Sequence, residues 1–401
     1  MNRSGYADLP LHYGTVPPWL ATRMTQLGRA ITEAVLIEYG RSAFIQRMSD
    51  PLWFQSLGAV MGMDWHSSGI TTSVVGALKK AINPISEQLG LYVCGGRGKY
   101  SRQTPQELMN IAMCTGLDGD ALVRSSRLSA KVDNTAVQDG FSIYLHSFFL
   151  TKEGEWSVVQ QGMNGDSGYA RRYHWHSNAF NDFLKEPHTS VVGVNQGSIL
   201  NLTAPQADIT KAGILAMTRE KPEVINREAQ RFVMMPAHHD VQAKDVDLKR
   251  LGSILALAHD TDLSNFEELL LLKGVGPRTL QSLTLVSEVI HGTPSRFTDP
   301  ARFSFAHGGK DGHPFPVPLK VYDETLSMLK VGLEKAKIGQ SDKIRAIKSL
   351  SQVAQRLEDS FTPNANFDEV IAKERAESYK YGGMTVFCAA KKPKTDQLSL
   401  F

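Results

Sequence analysis

The spacing of apolar residues changes twice along this chain, and these changes limit the fold more than any other feature. Between residues 17 and 39, apolar side chains recur every three or four positions, as one face of a helix requires; they are Trp19, Leu20, Met24, Leu27, Ile31, Val35 and Leu36. From residue 141 to residue 161, two runs rich in β-branched and aromatic residues flank a glycine turn, which predicts a β-hairpin. Helical spacing returns after about residue 240. The pattern predicts an α+β fold.

The same changes divide the chain into three predicted regions. Residues 1–240 form the first region, which is mostly helical in residues 1–125 and holds a small mixed or antiparallel sheet in residues 126–240. Residues 241–358 form an all-α domain, and residues 359–401 form a C-terminal extension. A length of 401 residues is sufficient for two or three domains.

Shorter signals place individual elements. Ser49-Asp50-Pro51 combines an N-cap residue with a proline in the first helical turn, so it predicts a helix start. Residues 104–107 read Thr-Pro-Gln-Glu and have the form of a capping box. Gly40 is expected to end the first helix, and further strands are expected at residues 169–176 and 190–194.

Residues 266–290 combine two helical stretches with a glycine turn. The turn reads Lys273-Gly-Val-Gly-Pro-Arg278, and its glycines leave the backbone N–H groups at the start of the second helix uncovered. Such a helix start carries positive partial charge and unpaired donors, so a phosphate binds there without its base being read. The segment resembles the helix-hairpin-helix DNA-binding motif, and an ordinary corner between two helices is the alternative. The predicted DNA contacts are Lys273, Gly274, Val275, Gly276, Arg278 and Thr279.

The middle of the chain is rich in histidine and aspartate. Six of the twelve histidines lie between residues 146 and 239. His174 and His176 stand two apart on a predicted strand and would point to one face. Nucleases hold Mg²⁺ or Mn²⁺ with carboxylate and imidazole groups, and the ion activates water and neutralises phosphate charge. We therefore predict an Mn²⁺ or Mg²⁺ site whose ligands are Asp133, Asp139, His174 and His176.

Other polar residues of this region would complete a centre for phosphodiester cleavage. The predicted catalytic residues are Lys131, Asp133, Asp139, His146, Gln160 and His174, while Arg171 and Arg172 are predicted to contact the DNA phosphate. For each histidine taken alone, a structural role as a hydrogen-bonded residue in the core or at the surface is the better explanation. The glycine-rich segment 94–101 lacks the spacing of a phosphate-binding loop, so no nucleotide cofactor is expected.

The last five residues form a predicted docking peptide. Exposed leucine and phenylalanine side chains gain little until a partner removes them from water. The basic, proline-containing segment 391–394 before them favours an extended linker. The peptide resembles the motif by which bacterial replication and repair proteins bind the sliding clamp, and by that resemblance the contacts are Gln397, Leu398, Leu400 and Phe401. A last strand that folds back onto the body of the protein is the alternative.

Longer segments resemble a single protein family when they are taken together. They are residues 8–12, 49–55, 131–134, 138–140, 158–163, 170–175 and 305–313. Over residues 3–355 the chain is similar to a bacterial and archaeal family known as domain of unknown function 763. The resemblance implies an N-terminal domain with suspected nuclease activity, fused to a helix-hairpin-helix domain. The residues after about 360 are an addition to that pattern.

Charge and composition exclude several classes of protein. The net charge is only +3, so a nucleic-acid surface must come from local basic clusters. Three widely spaced cysteines suggest neither a disulfide framework nor a zinc site. No apolar run approaches the roughly 20 residues of a membrane span, and the N-terminus lacks a signal-peptide core. A cytoplasmic, nucleoid-associated protein without membrane contact is expected.

These features predict a structure-selective, metal-dependent DNA nuclease of repair or replication that the sliding clamp recruits. A non-catalytic DNA-binding adaptor recruited by the clamp is one alternative. A helix-hairpin-helix DNA glycosylase is another; that chemistry needs an aspartate soon after the second helix, and Asp299 is the only near candidate.

Overall fold

The computed structural model describes residues 2–3, 9–11, 16–225, 227, 248–301, 317–336 and 338–359. The helices are α1 Pro18–Met48, α2 Pro51–Val60, α3 Gly69–Ile82, α4 Ser86–Leu89, α5 Thr104–Thr115, α6 Gly119–Lys131, α7 Asp208–Arg219, α8 Leu248–Thr261, α9 Phe266–Leu271, α10 Pro277–His291, α11 Leu319–Lys335 and α12 Gln340–Asp359. The strands are β1 Asn2–Arg3, β2 Leu91–Arg97, β3 Val137–Gln138, β4 Ser142–Thr151, β5 Trp156–Asn164, β6 Tyr169–His176, β7 His188–Val192, β8 Ser198–Asn201, β9 Phe297–Thr298 and β10 Val317–Pro318. A π-helical turn, Val132–Ala136, follows α6 directly.

The central element is a five-stranded antiparallel sheet with the strand order β2-β4-β5-β6-β7. Two smaller sheets have the orders β3-β8-β9 and β1-β10. The predicted hairpin is confirmed, because β4 and β5 pair across a turn in which Gly154 has a φ of +92°. Strands β6 and β7 confirm the two further predicted strands. The prediction of an α+β fold is confirmed.

One of two predicted helix boundaries follows its local sequence signal. Asp50 caps α2, since its Oδ1 accepts hydrogen bonds from the amides of Leu52 at 2.8 Å and Trp53 at 3.0 Å. Gly40 leaves the helical conformation with a φ of +83°, as a glycine can at no steric cost. The chain continues beyond Gly40 as a second helical segment of α1, so the glycine bends the path instead of ending the helix.

The capping box predicted at residues 104–107 is wrong. The Glu107 carboxylate accepts a hydrogen bond from the Gly95 amide at 2.6 Å and another from Lys79 Nζ at 2.6 Å. Asn83 bonds both backbone groups of Val93, at 2.9 and 3.0 Å. These side chains cover the outer edge of β2, where unpaired strand groups would otherwise face water. Strand β2 was not predicted, because its glycines are typical of a loop.

Helices cover both faces of the central sheet. On the side named here the back face, α1, α2, α3, α11 and α12 pack against apolar side chains of the strands: Leu91, Val93, Phe149 and Val159. On the front face, α5 to α10 pack against Tyr92, Phe148, Val158 and Trp175. Successive residues of a strand point to opposite faces, so neighbours in sequence enter different cores.

The front-face core joins residues from both sides of the predicted boundary near residue 240. It contains Trp175 of β6 together with Leu269 of α9 and Leu280 and Leu283 of α10. The segment that resembles a helix-hairpin-helix therefore packs directly on the layer that covers the sheet. None of the helices in the described ranges has both the length and the hydropathy of a membrane-spanning segment.

Candidate nucleic-acid interface

The turn between α9 and α10 projects from the front-face layer. Val275 and Thr279 are buried and anchor the turn, whereas Lys273, Gly274 and Arg278 are exposed. The Val275 amide donates to the Leu272 carbonyl at 3.2 Å, which closes a tight turn. Gly274 has a φ of +95°. This conformation suits glycine because other residues pay a steric cost there.

Two carbonyl groups of the turn, those of Gly274 and Gly276, accept hydrogen bonds from residues of α8 and α10. Gly274 O accepts from Thr279 Oγ1 at 3.3 Å and from the Arg250 guanidinium at 3.3 Å. Gly276 O accepts from the Leu280 amide at 2.9 Å, which is the first rung of α10.

The other two turn carbonyls are bonded by the segment around the π-helical turn. Lys131 Nζ donates to Val275 O, and Gln138 Nε2 donates to Pro277 O at 2.8 Å. Partial burial lowers the pKa of the Lys131 ammonium. Lys131 therefore supports the turn, whereas the sequence predicted a catalytic role for it. Gln138 was not among the predicted site residues, since a contact across 139 positions leaves no local signal.

The start of α10 leaves its first N–H groups without partners in the helix. Gly276 is the N-cap residue and no side chain caps the helix, while Pro277 has no N–H to donate. The amides of Arg278 and Thr279 precede the first rung of the helix and have no acceptor within it. A Cβ atom at Gly276 would meet no atom within 4 Å. The carbonyls of the turn are thus bonded by the protein, whereas the first amides of α10 have no acceptor within the helix.

Asp133, predicted as a metal ligand, is fully buried on the front face and accepts three hydrogen bonds. They come from Gln160 Nε2 at 2.5 Å, Trp175 Nε1 at 2.9 Å and His188 Nε2 at 2.5 Å. Burial raises the pKa of Asp133, and the neighbouring His188 opposes that shift. The carboxylate is therefore occupied by protein donors on both oxygens.

His146 belongs to the same buried network. Its Nδ1 lies 2.9 Å from Gln160 Oε1, and its Nε2 lies 2.8 Å from Ser126 Oγ. Because Gln160 Nε2 donates to the Asp133 carboxylate, Gln160 Oε1 is the acceptor, so His146 carries its proton on Nδ1. Burial lowers the pKa of His146 to about 4, which keeps the ring neutral. A chain of hydrogen bonds thus runs from Ser126 to Asp133, and all of its members are buried.

Asp139, the other predicted carboxylate ligand, forms a buried ion pair with Arg171. Arg171 Nη1 lies 2.7 Å from Asp139 Oδ2, and its guanidinium also bonds both oxygens of Asp299, with the shorter contact at 2.8 Å. Tyr173 donates to Asp139 at 2.6 Å. Arg171 is therefore a structural link and not the predicted phosphate contact. Both oxygens of Asp299, the candidate carboxylate of a glycosylase, thus accept hydrogen bonds from the buried Arg171.

Arg172 and His174 lie on the back face of the sheet, opposite His146 and Asp133. Arg172 Nε donates to His174 Nε2 at 2.9 Å, and His174 Nδ1 donates to the Met48 carbonyl at 3.1 Å. Burial holds the pKa of His174 well below its usual range and lowers that of Arg172 to about 9. Arg172 also lies over the Phe54 ring at 4.8 Å. Arg172 is thus enclosed and does not form the predicted phosphate contact.

The predicted metal ligands do not converge. His174 is separated from both aspartates by the sheet, and His176 Nε2 lies 2.9 Å from Glu155 Oε1 at the far end of β6. Among the residues that the structure describes, no group of three or more histidine, cysteine or acidic side chains could hold a metal ion. The geometry does not fit the predicted Mn²⁺ or Mg²⁺ site, because strand alternation divides its ligands between two faces. The predicted clamp contacts Gln397, Leu398, Leu400 and Phe401 lie outside the described residues.

Comparison with known proteins identifies a family. No curated protein and no solved structure matches the chain. One family model, described as a protein of unknown function (DUF763), matches residues 5–317. The matched residues include the central sheet, the buried polar residues described above on its two faces, and the turn between α9 and α10. The chain therefore belongs to the DUF763 family of proteins of unknown function.

Proposed function

We propose that this protein binds DNA without sequence preference through the turn Lys273–Thr279, as part of DNA repair or replication. The observation that carries the proposal is the hydrogen bonding of the turn. Its carbonyls, from Gly274 to Pro277, are all bonded by the protein, so the groups left for a ligand are the first N–H donors and the positive end of α10. A phosphate is the ligand that such a helix start binds most readily.

The charges beside the turn support the same ligand. Lys273 and Arg278 are exposed, and neither forms an ion pair with a described carboxylate. Arg250 lies close by, bonded to Gly274 O. Cations in this position neutralise backbone phosphates whatever the base sequence, and release of counterions makes the binding depend on salt.

The substitution Gly276→Ala tests this proposal without disturbing the fold. Gly276 has extended backbone angles of −133° and −176°, and an added Cβ projects into open space. The methyl group would occupy the place of a phosphate oxygen, so we expect the Kd for duplex DNA to rise about tenfold, equally for unrelated sequences. Fluorescence anisotropy with two duplexes of different sequence measures the effect.

A second helix start provides the matched control. Gly339 precedes α12, accepts a hydrogen bond from the Lys343 amide at 3.0 Å, and has equally open space at its Cβ position. Gly339→Ala should leave DNA binding unchanged. An unchanged Kd in the Gly276→Ala protein as well would refute binding at this turn. Arg278→Ala should reduce the slope of log K against log salt by about 0.9.

A structure-selective nuclease dependent on Mn²⁺ or Mg²⁺ is the second candidate function. One observation favours it: Asp133 and Asp139 are close in sequence to Lys131 and Gln138, which bond the turn carbonyls. Both carboxylates are occupied by protein donors in this conformation, so we derive no cleavage step from it.

A cleavage assay separates the nuclease from the adaptor. Single-stranded, bubble, flap and mismatched DNA would be incubated with the protein and either metal ion, beside the Asp133→Asn protein. The nuclease proposal expects cleavage by the wild type that the variant lacks while it remains folded and binds DNA. Binding without cleavage of any substrate would instead support the non-catalytic adaptor.

Recruitment by the bacterial sliding clamp is proposed on the sequence resemblance of the C-terminal peptide. A protein that ends at Asp396 lacks Gln397, Leu398, Leu400 and Phe401. We expect it to lose binding to the immobilised clamp while its Kd for DNA stays the same. Clamp binding that survives this truncation would contradict the proposal.

A further inference from the structure

The segment from Arg97 to Arg102, named here the basic loop, is an exposed cluster of positive charge at the end of β2. It reads Arg-Gly-Lys-Tyr-Ser-Arg and contains no acidic residue. None of its three cations forms an ion pair with a described carboxylate. Exposed arginines elsewhere do form such pairs, as Arg29 does with Glu33 at 2.8 Å. With respect to the described residues, the basic loop therefore keeps its charge available for an anionic partner.

Two aromatic rings lie close to these cations. Tyr100 is 50% exposed, and Lys99 Nζ lies 5.4 Å from its ring centroid. The Arg97 guanidinium lies 5.8 Å from the centroid of Tyr144. A large, exposed aromatic side chain has an unfavourable contact with water, and flanking cations add a phosphate-binding element. This combination is typical of surfaces that stack unpaired bases.

The basic loop is held in one shape by its own hydrogen bonds. Ser101 Oγ donates to Gly98 O at 2.6 Å, and Thr104 Oγ1 donates to Ser101 O at 2.8 Å. At its base, Gly95 has a φ of +79°, and a Cβ there would lie 2.3 Å from the His146 carbonyl oxygen. The backbone is fixed by close packing on β4, so little conformational entropy is lost when a ligand binds.

The basic loop and the turn between α9 and α10 lie at the same end of the central sheet. Arg97 pairs with Leu145, the neighbour of His146, and His146 contacts Ser126 of α6. Lys131 follows Ser126 by five residues on α6, which is a rise of about 7.5 Å. Lys131 bonds the turn. The Ile143 amide also donates to Asn134 of the π-helical turn at 3.3 Å. These contacts connect the base of the basic loop to the turn through β4 and α6.

We propose that the basic loop holds a single-stranded segment of DNA that leaves the duplex bound at the turn. The proposal rests on the proposed function and names its ligand: a junction between duplex and single-stranded DNA. The N–H groups of the turn can donate to a phosphate of any duplex, whereas the Tyr100 ring can stack only on a base that has no partner. The two surfaces together would distinguish a junction from uninterrupted duplex.

Anisotropy measurements with three probes test this inference. The probes are a blunt duplex, the same duplex with a ten-nucleotide overhang at one 3′ end, and the same duplex with one at a 5′ end. We expect the wild type to bind at least one overhang probe about tenfold more tightly than the blunt duplex. Tyr100→Ala should remove most of that gain and leave the Kd for the blunt duplex unchanged. Tyr100→Phe keeps the ring and should retain the gain.

Matched variants make the outcomes distinct. Tyr39 is 42% exposed on α1, so Tyr39→Ala controls for the loss of an exposed tyrosine. Lys99→Gln should weaken overhang binding and reduce its salt dependence. If the wild type binds all three probes equally and Gly276→Ala weakens that binding, this inference is overturned and the proposed function stands. A Tyr100→Ala protein that loses blunt and overhang binding in equal measure would also overturn it. No binding of any probe by the wild type would refute the proposed function itself.

Discussion

The turn between α9 and α10 adjoins the buried network around Asp133, yet the two regions satisfy their polar groups in opposite ways. In the turn, four carbonyls are bonded by the protein and the first N–H donors of the helix have no acceptor within it. Around Asp133, Gln160 and His146, every donor meets an acceptor within the protein. Both regions contain residue types common in active sites, but only the turn has groups available to a ligand.

This contrast shows that residue type is a weaker guide to a site than unsatisfied hydrogen-bonding capacity. A buried carboxylate or imidazole costs free energy unless it is bonded, so the interior pairs these groups with one another. The pairing gives the front-face residues a structural explanation. It predicts that their replacement affects stability first, whereas replacement in the turn affects ligand binding first.

The largest expected effect is the loss of stability in Asp299→Ala. Asp299 bonds both terminal nitrogens of Arg171 and also accepts from the amides of Gln196 at 2.6 Å and Ala301 at 2.8 Å. Removal of one partner leaves a buried guanidinium undercompensated, so we expect the free energy of unfolding to fall by about 3–5 kcal/mol. Urea unfolding measures the change.

An exposed pair of similar geometry serves as its control. Arg41 bonds Glu153 through two nitrogens, with Nε–Oε2 at 3.0 Å, and both side chains are partly exposed to water. Glu153→Ala should cost at most about 1 kcal/mol, because water solvates either charge after the loss. If Asp299→Ala were as stable as the wild type, Asp299 would regain its place as a candidate catalytic carboxylate.

The pH dependence of stability should reveal His146 as a buried neutral group. Folding lowers its pKa to about 4, below the unfolded value of about 6.5. The neutral ring favours the native state above pH 6.5, and this contribution is lost as the pH falls from 6.5 toward 4. The full contribution is about 3 kcal/mol.

The comparison of wild type with His146→Gln isolates that contribution, since other buried groups titrate in both proteins. Between pH 7.5 and pH 4.5, the wild type should lose about 2–3 kcal/mol more free energy of unfolding than the variant. Parallel losses in the two proteins would show that His146 is charged or accessible in the native state. Such a result would move the residue back toward the catalytic role predicted from sequence.

The sequence predicted the turn well because its signals are local. Glycines at 274 and 276 and proline at 277 fix a turn and a helix start through backbone chemistry alone. The alternation of side chains along β6 is also visible in sequence. It places Arg171 and Tyr173 on one face of the sheet and Arg172 and His174 on the other. The sequence did not place the partners, because Arg171 and Asp299 are 128 positions apart. Contacts of that range depend on tertiary packing, which also made β2 a strand despite its glycines.

The two glycines of the turn give the smallest predicted effect and the sharpest contrast between stability and binding. Gly274 has a φ of +95°, and a Cβ there would lie 3.0 Å from Ile254 Cδ1, so Gly274→Ala should lower the free energy of unfolding by about 1–2 kcal/mol. Gly276 has neither restriction, and Gly276→Ala should unfold at the same urea concentration as the wild type. Both should weaken DNA binding, but only Gly276→Ala does so with stability intact. A Gly276→Ala protein that loses stability instead would show that the edge of the turn is packed against the protein, which would remove the contrast with the buried network.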